Sequence, residues 1–241
     1  MLKVTKLDQF YGGSHTLWGV DLEVRAGECT CLMGRNGVGK TTLLRAIMGL
    51  VPSVGGQIAF DGQEIARKSV ETRARLGIGY VPQGREIFPQ LTVEENLRLG
   101  LIGRRRAGNQ GAGRRSAGRE VPERIFELFP VLKTMLRRRG GDLSGGQQQQ
   151  LAIGRALMLE PKLLILDEPT EGIQPNVVQD IGDVLIRLNR EEGLTVLVVE
   201  QKLKFARRVA QRFSILDRGR SMAAGTIDEL DDGLVARYLT V

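Results

Sequence analysis

The sequence lacks any long apolar run and is poor in aromatic residues, histidine and cysteine. No apolar stretch in its 241 residues approaches the roughly 18 residues that a membrane-spanning helix requires. Residues 1–6 are typical of a strand and contain no apolar signal-peptide core. These absences predict a cytoplasmic protein that acts at a membrane only through a partner.

Cysteine and histidine are too scarce to complete a zinc site. Cys29 and Cys31 lie two residues apart, so in a strand both side chains point to one face. A C-x-C pair can bind a metal or act in redox chemistry, but His15 is the only histidine and there is no third cysteine. We interpret the two cysteines as core residues of a buried strand.

The positive charge is concentrated in one segment. Residues 103–119, GRRRAGNQGAGRRSAGR, contain six arginines and no acid, and removing them lowers the net charge from +7 to +1. The rest of the chain lacks a basic face with interleaved aromatics, so we expect no specific nucleic-acid partner. The segment itself predicts a flexible loop, because it buries too little apolar surface to offset its chain entropy. Two interpretations of this segment remain: it contacts anionic lipid, or it is a solvated linker without a function.

Short apolar strands alternate with helical patterns, which is typical of an α/β fold with a mostly parallel sheet. Buried strands are predicted at Cys29–Met33, Ile78–Val81, 163–166 and Thr195–Val199. A more alternating section between residues 4 and 60 predicts antiparallel strands, including 22–24 and 57–60. Glycine pairs at 12–13 and 55–56 predict turns in that section.

The middle of the chain has a different character. Strand patterns are absent between residues 84 and 159, and helical patterns occur at 93–101, 120–129 and 147–159. We therefore predict one domain over 1–241, in which a helical subdomain (84–159) is inserted into a core formed by 1–83 and 160–241. No motif occurs twice, so the chain carries a single domain of this type.

A complete phosphate-loop motif, G-x-x-x-x-G-K-[ST], follows the strand predicted at Cys29–Met33. A helix that runs to about Met48, with Gly49 as its cap, is predicted to follow. The glycines let backbone amides approach phosphates, and the helix N-terminus adds a favourable dipole. Lys40 can then reach the β- and γ-phosphates, and the Thr41 hydroxyl can bind Mg²⁺. The predicted nucleotide-binding residues are Gly34, Arg35, Asn36, Gly37, Val38, Gly39, Lys40, Thr41 and Thr42.

A second motif, Leu-Leu-Ile-Leu-Asp-Glu at 163–168, places two carboxylates at the end of an apolar strand. Such a strand end can simply be solvated, but together with a phosphate loop it indicates a site of nucleotide hydrolysis. Asp167 is predicted to hold Mg²⁺ through water, and Glu168 is predicted to polarise the attacking water as general base.

A third motif, Leu-Ser-Gly-Gly-Gln at 143–147, precedes a helical pattern. Ser144 is a favourable N-cap residue, and free amides at Ser144, Gly145 and Gly146 are expected to form an anion site. A capped helix start alone would also explain the motif. Its place between the phosphate loop and the Asp-Glu strand makes the chain resemble the ABC ATPase family over essentially its whole length. The residues of this signature motif are Ser144, Gly145, Gly146 and Gln147.

The resemblance implies a RecA-like P-loop NTPase core with an antiparallel N-terminal section, an inserted helical subdomain, and the use of ATP and Mg²⁺. It also implies that the signature motif binds the γ-phosphate of ATP held by an opposite subunit, so a chain with one such domain must dimerise. Tyr11 matches the aromatic residue that stacks on adenine, although a purely structural role is open. Gln83 matches the glutamine that contacts Mg²⁺ and the attacking water.

Two positions depart from the family pattern. Gln174 stands where the loop after Asp167-Glu168 usually carries an aspartate, and Gln201 stands where a switch histidine is expected after strand Thr195–Val199. A glutamine amide can donate a hydrogen bond to the γ-phosphate, but it cannot carry a proton charge. His15 cannot substitute, because it lies near the adenine-side loop. This departure predicts two unequal sites and puts the full turnover rate of this subunit's own site in question.

The Glu200-Gln201 pair and residues 171–175, Glu-Gly-Ile-Gln-Pro, resemble importers of branched-chain amino acids and their relatives. Four stretches, at 11–17, 34–44, 80–88 and 138–157, are most similar to the urea-importer ATPase subunit. We therefore predict urea as the solute and a branched-chain amino acid as the alternative. The ATPase does not contact the solute, so this prediction rests on resemblance alone.

The family implies a second, different ATPase subunit, two permease subunits and, indirectly, a periplasmic or extracellular solute-binding protein. It places the chain peripherally at the cytoplasmic face of the inner (plasma) membrane. A non-transport ABC ATPase is disfavoured, because such chains usually carry two ATPase domains or a long coiled-coil insertion. A regulatory module without hydrolysis is favoured by Gln201 but disfavoured by Gln83, Asp167 and Glu168.

Overall fold

The structure is a computed structural model that describes residues 1–104 and 120–240. Most of the loop predicted over 103–119, from position 105 onward, lies outside the described residues. Positions 103 and 104 belong to the end of a helix and not to a loop. Within the two described ranges, no helix is both long and apolar enough to cross a membrane.

Strands and helices alternate along the chain, as the sequence patterns predict. The strands are β1 (Leu2–Tyr11), β2 (Ser14–Val24), β3 (Cys29–Met33), β4 (Gly55–Phe60), β5 (Gln63–Glu64), β6 (Ile78–Val81), β7 (Leu163–Asp167), β8 (Thr195–Val199), β9 (Arg212–Asp217) and β10 (Arg220–Thr226). The helices are α1 (Lys40–Met48), α2 (Val70–Arg75), α3 (Val93–Arg104), α4 (Glu123–Leu128), α5 (Pro130–Thr134), α6 (Gly145–Leu157), α7 (Pro175–Arg190), α8 (Leu203–Val209) and α9 (Asp232–Tyr238).

The central sheet has the strand order β10-β9-β3-β8-β7-β6, and all of its pairs are parallel except that of β10 with β9. Every residue of β3, β7 and β8 is buried, which is typical of parallel strands covered on both faces. The four strands predicted from apolar runs are confirmed, and β7 extends one residue further, to Asp167. Val199 pairs with Leu32 on one side and with Asp167 on the other, so the carboxyl ends of three strands are level.

The N-terminal sheet is antiparallel, with strand order β2-β1-β4-β5, as the alternating pattern predicts. The turn predicted at Gly12-Gly13 joins β1 to β2. The turn predicted at residues 55–56 is wrong, because both residues begin β4. Gly56 has φ +78°, and a β-carbon there would lie 2.3 Å from the Lys6 carbonyl oxygen. Glycine is therefore required where β4 approaches the irregular part of β1.

Helices occupy the described part of the chain between residues 84 and 159, and no strand interrupts them there. The predicted helices exist with shifted ends. Helix α4 begins at Glu123, since Pro122 precedes it, and α6 begins at Gly145, since Ser144 caps it. The division into a core and an inserted subdomain stays a prediction.

Two apolar clusters lie on opposite faces of the central sheet. Alternate residues of β7 and β8 belong to different clusters: Leu164 and Val198 face one, and Ile165 and Val199 face the other. Cys29 and Cys31 are buried in the same cluster, which confirms their interpretation as core residues. Burial raises the pKa of Cys29 to about 12, so its thiol is unreactive at neutral pH.

Arg73 of α2 holds the C-terminal end of α1. Its side chain is 2% exposed, and the guanidinium donates hydrogen bonds to the carbonyl oxygens of Ala46 (2.7 Å) and Ile47 (2.6 Å) at the end of α1. It also donates to the carbonyl oxygens of Ala66 and Lys68. A cation at this end complements the helix dipole, so α1 is fixed behind the loop that precedes it.

Candidate nucleotide-binding and hydrolysis site

The phosphate loop, residues 34–39, connects β3 to α1. Gly34 has φ +151°, and a β-carbon there would lie 2.2 Å from the carbonyl oxygen of Leu216 in β9, so only glycine lets the loop leave the sheet here. Helix α1 ends at Met48 with Gly49 as a left-handed C-cap, as predicted. The loop therefore stands at the carboxyl edge of the central sheet, where open α/β sheets place their ligands.

Lys40 is the first residue of α1 and is 4% exposed. Its Nζ donates hydrogen bonds to the carbonyl oxygens of Gly34 and Arg35, both at 2.8 Å, and lies 3.7 Å from Glu168 Oε1. Burial lowers the pKa of Lys40, while Glu168 and Asp167 oppose that effect. The ammonium group is thus held inside the curve of the phosphate loop.

Asp167 is a buried carboxylate at the end of β7. It is 1% exposed, and neither carboxylate oxygen has a hydrogen-bond partner within the described ranges. Burial raises its pKa to about 6, and the nearby Thr41 and Lys40 limit the rise. Thr41 lies close enough to limit the rise of this pKa, although no hydrogen bond among the described residues reaches the carboxylate. The two unpaired carboxylate oxygens of Asp167 and the nearby Thr41 hydroxyl are oxygen ligands that suit a hard divalent cation.

Glu168 is the point at which several site residues meet. Its Oε1 accepts a hydrogen bond from Gln201 Nε2 at 2.6 Å, and its Oε2 lies 3.4 Å from Gln83 Nε2. The residue has φ +48°, and its amide donates to the carbonyl oxygen of Val199 in the next strand. A glutamate in the left-handed region is uncommon, and this one turns its carboxylate toward the phosphate loop.

Gln201 links the phosphate loop to Glu168. Besides its bond to Glu168, its Nε2 donates to Asn36 Oδ1 at 2.6 Å. Both side-chain N–H groups are therefore engaged, and one must be released before Gln201 can contact a phosphate. His15 lies elsewhere, stacked between Phe10 and Trp18 in the N-terminal sheet, where it cannot take this position.

The signature motif forms a capping box at the start of α6. The Ser144 side chain accepts from the Gln147 amide, and Gln147 Oε1 accepts from the Ser144 amide at 3.0 Å. The expectation of a free Ser144 amide is therefore wrong, and Gly145 and Gly146 supply the amides of the first turn. In the described part of the chain, no hydrogen bond joins residues 144–147 to the phosphate loop.

Tyr11 ends β1 and is 44% exposed, beside the turn to β2. Its ring is thus available to a ligand, although it makes no hydrogen bond with the side chains around Glu168. The structure brings Asn36, Lys40, Glu168 and Gln201 into contact, and Gln83 reaches the same carboxylate.

Two acidic residues, which the sequence marks only as features of the subfamily, also lie at the site. Glu171 Oε2 accepts a hydrogen bond from Gln83 Nε2 at 2.9 Å, a shorter distance than that from Gln83 to Glu168. Glu200 is buried at the end of β8 and binds Thr170 in the loop after β7. A charged residue directly after the apolar run at 196–199 was the available signal for Glu200. Gln174 is the N-cap of α7 but makes no side-chain cap hydrogen bond.

The fold and this site define a P-loop ATPase. The sequence model of the ABC transporter family matches residues 17–171, and the chain belongs to that family. Within the family it is the ATP-binding and ATP-hydrolysing subunit of an importer.

Two curated relatives match nearly the whole chain. The high-affinity branched-chain amino acid transport ATP-binding protein BraG of Pseudomonas aeruginosa is 41% identical over 220 residues, which cover 91% of this chain and 90% of that protein. A probable branched-chain amino acid transport ATP-binding protein, LivF of Archaeoglobus fulgidus, is 36% identical over 233 residues, which cover 95% and 94%. Neither name supports the prediction of urea, and both agree with its alternative.

A solved dimeric ATP-binding cassette, in a post-hydrolysis state bound to ADP and phosphate, has the same fold. Its TM-score is 0.83 at 28% identity, and the match covers 94% of this chain and 99% of that one. The predicted α/β fold of the P-loop NTPase type is thereby confirmed.

Proposed function

We propose that the chain drives import of branched-chain amino acids. The observation that carries this proposal is its similarity, over nine-tenths of its length, to BraG, which is named for that transport. The Glu200-Gln201 pair and residues 171–175 support the same subfamily. Urea is the second candidate, because four sequence stretches resemble the urea-importer ATPase subunit.

The assembly we propose contains two ATPase subunits on two permease subunits, at the cytoplasmic face of the membrane, with a solute-binding protein outside. In the described part of the chain, the signature residues 144–147 make no hydrogen bond with their own phosphate loop, which supports a role opposite a second subunit. The dimeric cassette with the same fold supports this arrangement. Because Gln201 replaces a histidine, we propose a different ATPase chain as the partner.

For hydrolysis, we propose that Glu168 accepts the proton of the water that attacks the γ-phosphorus, as ADP leaves. Lys40 would bind the phosphates, and Gln201 would exchange Asn36 for a γ-phosphate oxygen. Asp167, Thr41 and Gln83 would hold Mg²⁺, which when bound neutralises charge on the phosphates. Tyr11 would stack on adenine. The contacts of Glu168 with Gln83 and Gln201 would orient the carboxylate for this step.

The helical subdomain gives Gln83 its proposed role in coupling. Gln83 follows β6 and precedes the helices of residues 84–159, and its amide binds Glu171 and Glu168. A permease bound to the helical subdomain would therefore act on the hydrolysis site through Gln83. This proposal does not depend on the transported solute.

The test is purification of the tagged full-length chain from native membranes, followed by identification of the co-purifying proteins. We expect a permease pair and a second ATPase, whose combined ATPase rate rises when leucine, isoleucine or valine is added with the binding protein. Stimulation by urea and not by these amino acids would replace the proposed solute. Co-purification with ribosomal or DNA-repair proteins instead of a permease would overturn the transport function.

A further inference from the structure

We infer that Glu200 is a positioning residue, whose buried carboxylate joins the loop after β7 to the loop after β8 and thereby sets the Gln201–Glu168 contact. We name the contacts among Thr170, Glu200 and Lys202 the Glu200 clasp. The inference rests on the proposed roles of Glu168 and Gln201 in hydrolysis.

The carboxylate of Glu200 is fully used by these two loops. It is 3% exposed; Oε1 accepts the backbone amides of Gln201 (2.9 Å) and Lys202 (3.1 Å), and Oε2 accepts the hydroxyl of Thr170 (2.6 Å). Thr170 is itself completely buried. Hydrogen bonds to a buried carboxylate are charge-assisted, so these contacts restrict both loops more than neutral bonds would.

A second contact closes the clasp from the other side. Lys202 Nζ donates to the carbonyl oxygen of Thr170 at 2.8 Å. The hydroxyl and the carbonyl group of Thr170 are therefore bound by Glu200 and Lys202, the two residues that flank Gln201. The backbone amide of Glu200 donates to the Leu32 carbonyl oxygen, which ties the clasp to the strand that leads into the phosphate loop.

The clasp acts on the site through Gln201. Glu168 precedes Thr170 by two residues and Gln201 follows Glu200, so the clasp fixes the backbone at both ends of the Gln201–Glu168 hydrogen bond. Without the carboxylate, the buried Thr170 hydroxyl and the partly buried Gln201 and Lys202 amides lose their acceptor. The loops would then settle into other arrangements, and fewer molecules would present Glu168 and Gln201 in the reactive geometry.

The hydrogen bonds of the clasp predict which variants lose ATP turnover and which retain it. In Glu200→Gln, one oxygen can still accept the two amides, and the new NH₂ group can donate to Thr170, whose hydroxyl reverses to accept. Glu200→Ala removes every acceptor, and Thr170→Val removes only the hydroxyl at similar volume. Thr170→Ser keeps the hydroxyl and is the matched control.

The experiment compares ATP turnover of the purified importer complex with equilibrium ATP binding by the full-length chain, for each variant. We expect Glu200→Ala and Thr170→Val to lower kcat about tenfold, while the Kd for ATP changes less than about twofold, since the phosphate loop remains. Glu200→Gln and Thr170→Ser are expected to retain most of the turnover. In the Glu200→Ala background, Thr170→Val is expected to add little.

The inference is overturned if kcat is unchanged in folded Glu200→Ala and Thr170→Val, or if it falls only in proportion to ATP affinity or to the folded fraction. If Glu200→Ala does not fold, the kcat of Thr170→Val compared with that of Thr170→Ser tests the same inference. Glu168→Gln distinguishes a failure of the proposed mechanism from a failure of the clasp. Normal turnover in Glu168→Gln would exclude Glu168 as the base. Normal turnover in the clasp variants would exclude only the role of the clasp.

Discussion

Replacing Gln201 by alanine is the perturbation that most directly tests how this ATPase senses the γ-phosphate. The change removes two hydrogen bonds of 2.6 Å, one to the neutral Asn36 side chain and one to the Glu168 carboxylate. The Asn36 contact is the one that can be exchanged for a phosphate oxygen, since the Glu168 contact orients the proposed base. Under the proposed mechanism, Gln201→Ala therefore deletes an interaction that forms with the reacting phosphate.

The magnitude follows from the type of hydrogen bond. A bond to a charged group contributes about 1.5–3 kcal/mol, which corresponds to about a 10- to 150-fold change in rate if it is present only in the transition state. Because Gln201 is an exposed residue in the described chain, we expect the lower end, a fall of about tenfold in kcat.

The assay is steady-state ATP hydrolysis by the purified complex, with the Kd for ATP measured separately. Gln201→His, which keeps a donor, is expected to retain or increase turnover. Gln179→Ala is the control, because this exposed glutamine of α7 has no side-chain hydrogen bond in the described ranges. Wild-type kcat in Gln201→Ala would refute the assignment of Gln201 as a phosphate sensor.

Three further variants or conditions give independent checks. Glu168→Gln is expected to bind ATP normally but not to hydrolyse it in single-turnover measurements, because the amide cannot accept a proton; hydrolysis at the normal rate would exclude Glu168 as base. Burial raises the pKa of Asp167 to about 6, so Mg²⁺-dependent ATP affinity is expected to fall as the pH drops through 6. The folding stability of the chain without nucleotide changes with pH in the opposite direction. Between pH 3.8 and 6 the folded state binds the Asp167 proton more tightly than the unfolded state does, so the free energy of unfolding falls as the pH rises. Asp167→Asn is expected to abolish the pH dependence of ATP affinity and of urea unfolding that Asp167 causes. Arg73→Met is expected to lower the free energy of unfolding by about 3 kcal/mol, because it removes four hydrogen bonds and leaves the buried Ile47 carbonyl oxygen unpaired. Arg75→Met, which removes a surface ion pair on the same helix, is expected to cost under about 0.5 kcal/mol.

Much of the central sheet was predictable because four of its six strands are short, mostly apolar runs. Strands β9 and β10 were not identified, since Arg212–Asp217 mixes charged ends with a serine and Arg220–Thr226 is rich in alanine and glycine, which have low strand propensity. The error at Gly55-Gly56 has a related cause. Glycine marks a turn in most sequences, but here it admits a close approach between two strands.

The site was predictable where a motif is contiguous and not where it depends on distant partners. The phosphate loop, Asp167 and Glu168 stand out in the sequence because each follows an apolar strand. The contact between Gln83 and Glu171 joins residues 88 positions apart, and that between Thr170 and Glu200 joins residues 30 apart. No local pattern encodes such pairs, because they arise only when parallel strands bring their carboxyl ends to one edge.

The Gln83 amide, shared between Glu171 and Glu168, has a thermodynamic consequence for the assembled transporter. If ATP binding shifts the position of Gln83, any partner that shifts Gln83 in the same direction must strengthen ATP binding by an equal factor, because linkage between two sites is reciprocal. A coupling of about 1.4 kcal/mol would change each affinity about tenfold. The two acceptors of one side-chain amide would thus set how strongly the nucleotide and the membrane partner affect each other.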